Sequence, residues 1–139
     1  MEDKISLAWA NPEKTILLVT YEKDGWTWQD LYESLKQQKA MIDTVDHKVH
    51  LIVDSRKTSM FPQGGSLLSG IRKITVERHT RQGHIVTVGA HGIVRVMSQI
   101  VERLMGEYRQ DFHFAETMED AYAFLGRLTE QQDKTVSRR

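Results

Sequence analysis

The chain has no cysteine, which removes disulfides, thiolate nucleophiles and cysteine metal sites together and fits a reducing, cytoplasmic setting. It has only two prolines, Pro12 and Pro62, so strong breakers are few and their positions are informative. No apolar run approaches the roughly 18 residues that cross a bilayer, and no secretory leader is expected behind the polar Met1–Lys4 start. Net charge is zero, which weighs against a dedicated nucleic-acid binder. His-Glu-x-x-His, the Gly-x-Ser-x-Gly elbow and the Lys-Ser or Lys-Thr of a P-loop are all missing, so no metal, nucleotide or other cofactor is expected.

What is present is the alternation of strand and helix in a chain of 139 residues, enough for one domain with a real core. Ile5, Leu7 and Trp9 alternate as in a half-buried strand, Asn11-Pro12-Glu13-Lys14 is a turn, and the apolar run Ile16–Val19 marks a second strand, giving a hairpin. Thr27 with Asp30 three residues on forms a capping-box pattern. Trp26 and Leu31 occupy the positions of a hydrophobic staple, so a helix is predicted from about Trp28, with Leu31, Leu35 and Ile42 along its stripe. The Trp26/Trp28 pair is therefore read as structural.

The hub of the pattern is the stretch His50–Ile74. Leu51-Ile52-Val53 suits a strand buried on both faces, and it ends at Asp54-Ser55. Pro62 and Gly64-Gly65 delay the next helix, for which Ser66 is a candidate cap and Leu67, Leu68, Ile71 and Ile74 the apolar face. That helix is expected to end near Gln82-Gly83, ahead of a strand at Ile85–Val88 and a turn at Gly89–Gly92. A third helix follows with Val94, Met97, Val101 and Leu104, then a strand with Phe112 and Phe114. Thr117 and Asp120 cap a final helix that buries Met118, Ala121, Tyr122, Leu125 and Leu128. Residues 1–128 are the expected domain and 129–139 a polar tail expected to fray. The histidines His47, His50, His79 and His84 are read as surface or capping residues, because no ligand spacing joins them.

Charge is unevenly placed. Between Lys48 and Arg95 stand eight Lys or Arg against two acids, while the rest of the chain carries eleven against seventeen. The commonest meaning is solvated helix faces; the sharper one is a basic face for an anionic ligand or partner, or complementary halves meeting in a homodimer.

The element order, the Asp54-Ser55 strand end, and the closing Phe114 with Met118-Glu119-Asp120-Ala121 and Phe124-Leu125 resemble the SpoIIAA-like superfamily, which holds STAS domains and bacterial STAS/SEC14-like proteins. The likeness spans residues 5–128. It implies an α/β domain with a mainly parallel five-stranded sheet, an N-terminal antiparallel hairpin and four helices. For the anti-sigma-factor antagonist branch it implies a regulatory, non-enzymatic, protein-binding role switched by phosphorylation within an Asp-Ser-Ser-Gly motif. Asp54 and Ser55 match that motif's start, Arg56 and Lys57 stand where it has Ser and Gly, and Ser55, Thr58, Ser59 and Ser66 are the candidate acceptors.

The expected function is a cytoplasmic regulatory or protein-interaction module that uses Asp54, Ser55, Arg56, Lys57, Ser59, Phe61, Gly64, Gly65, Ser66 and His91, the last from the turn of the adjacent strand. The alternative is a small-molecule or lipid carrier of SEC14-like type, and a third reading is a hydrolase built on Ser55, His91 and Asp54.

Overall fold

The computed structural model describes residues 4–23, 25–57, 79–89, 99, 103 and 111–137. Among these residues the strands are β1 (Ile5–Trp9), β2 (Ile16–Tyr21), β3 (Val49–Asp54), β4 (Gln82–Val88) and β5 (Phe112–Ala115), and the full helices are α1 (Trp28–Asp43) and α2 (Met118–Ser137). The sheet order is β1-β2-β3-β4-β5. The β1/β2 hairpin is antiparallel and every later pairing is parallel. The α/β class, the five-stranded mixed sheet and its antiparallel hairpin are therefore as the sequence implies. Of the two further helices expected, Gln99 and Arg103 are helical where the third was placed, and the remainder lies outside the described residues.

Local chemistry sets the elements. In the β1/β2 turn the Asn11 side-chain oxygen accepts from the Thr15 and Ile16 amides at 3.0 and 3.3 Å, tying the hairpin while Lys14 adopts a φ of 58°. At α1 both arms of the capping box are present: Asp30 N–H donates to Thr27 Oγ1 at 3.2 Å, and Thr27 N–H donates to the Asp30 carboxylate at 2.8 Å. The start of α2 repeats half of this, with Asp120 N–H on Thr117 Oγ1 at 3.0 Å. That helix runs past Thr129, where the sequence was expected to fray, to Ser137.

Strand alternation divides the core between the two faces of the sheet. Leu17, Val19, Tyr21, Val49, Leu51 and Ile85 pack with Trp26, Leu31 and Ile42 on the α1 side. Ile52, Val86 and Val88, with the half-buried Ile16 and Leu18, pack with Ala121 and Leu125 of α2 on the other, while Tyr122, expected on the buried side of that helix, is exposed. Coverage on both sides explains the continuous apolar runs of β2 and β3. Within α1 the buried line is Leu31, Ser34, Gln38 and Ile42, and Trp28 and Leu35 sit at its margin. Ser34 is tolerated there because its hydroxyl donates to Leu31 O at 2.7 Å.

The fourth strand begins earlier than the sequence reading has it. Gln82-Gly83, expected to close a helix, is its first pair of residues. The glycine is needed for space rather than for a turn. A Cβ on Gly83 would run into the His50 ring, 2.6 Å from Cε1, and come within 3.1 Å of Lys48 Cδ.

Candidate functional site

The expected site begins where β3, the middle strand, ends. Asp54 is its last residue, in register with Thr20 of β2 and Val88 of β4. Both carboxylate oxygens are engaged by Arg56: Nε donates to Oδ1 at 2.9 Å and Nη2 to Oδ2 at 2.8 Å, while the Arg56 amide also donates to Oδ1 at 3.1 Å. This fork closes a tight turn straight after the strand. The Asp54 side chain is 8% exposed and that of Arg56 52%, so the pair has a buried acid and a solvated cation.

Hydrogen bonding from Arg56 holds the Asp54 carboxyl below the usual aspartate range against the opposing effect of burial, and the same contact raises the Arg56 guanidinium. A depressed folded-state value means stability that is present above the ordinary aspartate range and lost as pH falls through it. Asp54→Asn should therefore lower stability at pH 7, and the gap to the native chain should close on acidification below about pH 4, the ordinary aspartate range. Chemical denaturation at stepped pH measures this.

Around the pair, Lys57 Nζ donates to Glu22 Oε2 at 3.3 Å, and Glu22 Oε1 accepts from Ser6 Oγ at 3.1 Å, tying the segment after β3 to the β1/β2 hairpin. Ser55 turns inward. It is 3% exposed, and its amide donates to Val88 O at 2.9 Å. Its Oγ is buried and has no hydrogen-bond partner. In this conformation the hydroxyl is closed to a kinase.

The structure thus brings Asp54, Ser55, Arg56 and Lys57 together at one end of the sheet. Ser59, Phe61, Gly64, Gly65, Ser66 and His91 lie outside the described residues, as do Thr58 and the Ser55/His91 juxtaposition of the hydrolase reading.

A second cluster escaped the sequence reading. His50, His84 and His113, on adjacent strands, stack across the α2 face at the other end of the sheet. Ring centroids are 5.6 Å apart between His50 and His84 and 5.0 Å between His84 and His113. His50 is 6% exposed, so it is a core residue rather than a cap or a surface group. The usable signal was parity, because His50 and Ile52, His84 and Val86, and His113 and Ala115 each share a face. Of the remaining pair, His79 Nε2 meets Asp43 Oδ1 at 2.6 Å beside the end of α1. Among the described residues no group of three or more acidic or histidine side chains is arranged to hold a metal ion.

No family model, no curated protein and no solved structure matches the chain.

Proposed function

We propose that the chain is a non-enzymatic regulatory or protein-interaction module, similar to STAS domains, that engages a protein partner at the carboxyl end of β3. The observation that carries this reading is the chemistry of the Asp54–Lys57 turn. The acid is neutralised by a two-point ion pair and held ionised, which suits a fixed scaffold better than proton transfer. Ser55, which a hydrolase would need as nucleophile, has its hydroxyl turned into the protein with no base on it among the described residues. Arg56 and Lys57 are exposed, each held from one side by an acid, Asp54 and Glu22, and open to solvent on the other.

Position supports the reading as well. The carboxyl ends of parallel strands are where partners and ligands meet such sheets. No helix among the described residues is long and apolar enough to cross a membrane. The SpoIIAA-like assignment rests on the sequence resemblance and on the chain-order sheet with its N-terminal hairpin.

The test is photo-crosslinking from position 57 in the full chain, with exposed Lys36 on α1 as the control site. A protein crosslinked from 57 and not from 36, and lost at high salt, supports the proposal. A second copy of this chain at 57 would make the partner a homodimer mate. Equal capture at the two sites overturns it, and a co-purifying lipid found by native mass spectrometry without any protein crosslink would move the reading to the carrier class. Arg56→Gln with Lys57→Gln should weaken binding of the crosslinked protein about tenfold while the circular dichroism spectrum stays unchanged.

A further inference from the structure

We infer that His50, His84 and His113 form an acid-sensitive latch that joins three parallel strands to α2 only while the imidazoles are largely neutral. The His84 amide donates to His50 Nδ1 at 2.9 Å, so that nitrogen must be an acceptor and the ring's proton sits on Nε2. Protonating His50 would set an N–H against an N–H inside the sheet. The next contact, His84 Nδ1 to His113 Nε2 at 2.9 Å, needs one donor and one acceptor. This pair keeps its bond with one extra proton and loses it with two. The ladder as a whole therefore takes up a first proton without damage, and each later one removes a hydrogen bond and adds a like charge beside another.

The surroundings of His50 give a charge there little relief. Phe124 of α2 closes the ladder from above, 4.3 Å between ring centroids from His113 and edge-on to His84 at 6.2 Å. Ile16 of β2 lies beside His50 in the sheet, and Gly83 of β4 is packed against its ring. Lys48, just ahead of β3, acts on His50 with the wrong sign to help. Among the described residues the titratable or charged groups acting on His50 are His84 and Lys48, and α2 sets the apolar Phe124 against His84 and His113. Burial first, then the neighbouring His84 and Lys48, push the His50 value down to about 4. A folded-state value below the ordinary 6.5 makes the unfolded chain the better proton acceptor between those limits. Stability is complete above pH 6.5 and declines as pH falls toward 4.

The consequence is local before it is global. The ladder ties β3, β4, β5 and Phe124 of α2 on the face opposite the α1 core, so acid loosens the α2 side while the α1 side holds.

The experiment uses the full chain. Urea unfolding between pH 7.5 and 4.5, above the range in which most carboxylates titrate, should show the folding constant falling about tenfold per pH unit below 6.5, the slope of one proton taken up on unfolding. His50→Asn keeps an oxygen that can accept from the His84 amide but has no proton to gain, and should flatten that slope; His47→Asn should not change it. The same slope in the native chain and His50→Asn overturns the proposal. If His50→Asn does not fold, imidazole NMR of the native chain decides. His50 remaining neutral to below pH 5, with the His84 amide losing exchange protection as it titrates and α1 amides retaining theirs, supports the latch. Titration of His50 near 6.5 without loss of protection overturns it.

Discussion

Trp26→Ala is expected to cost about 3–5 kcal/mol, the range for removing a fully buried large aromatic. Trp26 is 3% exposed and sits just ahead of the α1 cap, with its ring 4.6 Å from that of Tyr21 at a 46° tilt. Leu31, the other half of the staple, is buried in the same cluster. The substitution would open a cavity among β2, the turn and the first turn of α1, where collapse is resisted because the helix start is pinned by its capping box. It would also expose the Tyr21 hydroxyl, which burial now holds well above its usual titration range. Trp28 is a weaker site. It is half-buried and stacks on Tyr32 at 6.2 Å, so Trp28→Ala should cost less than half as much. Urea titration of the two variants checks the ranking; equal losses would mean that the staple is not what fixes the helix start.

The second large effect is a sign reversal. Gly83→Ala should destabilise by about 1–3 kcal/mol, toward the upper end, since the added methyl has nowhere to go but the His50 ring. That ring cannot swing aside cheaply, because it is buried and holds the His84 amide. In a His50→Ala background only the flexible Lys48 stem remains close, and the same Gly83→Ala change should become neutral or mildly stabilising, since alanine loses less backbone entropy than glycine in a strand. A double-mutant cycle read from denaturation midpoints measures the coupling. Additive effects would show that the close approach is relieved some other way.

These two sites show where the sequence was legible. The start of α1 could be read because the Thr27/Asp30 box and the Trp26/Leu31 staple are signals confined to a few neighbouring residues. The β1/β2 hairpin and the Asp54 terminus of β3 were readable for the same reason, and the exposed Arg56-Lys57 turn follows from where that strand stops. Gly83 misled, because a glycine needed for close packing and a glycine needed for a turn look alike in one dimension. The histidine ladder depends on the register of three strands, with an irregularity between Val49 and Leu51, and no spacing along the chain encodes that. The Arg56–Asp54 fork was hidden for a related reason. A cation two residues after an acid is common, and only the tight turn at the strand end makes the pair bidentate.

One feature of the sheet bears on how the chain is made. Because strand order equals chain order, each new strand has its pairing partner already laid down by the time it leaves the ribosome. Every pairing after the hairpin closes a single crossover rather than reaching across the whole molecule, which keeps the entropic cost of each addition small for a parallel sheet. Growth can then proceed in one direction, from the N-terminal hairpin toward β5. The contacts of α2 come after those of the strands, since this helix follows all five of them in the chain. Until Leu125 and Ala121 arrive, Ile52, Val86 and Val88 lack their contacts with α2, and a nascent chain stalled before α2 should be the species that chaperones hold.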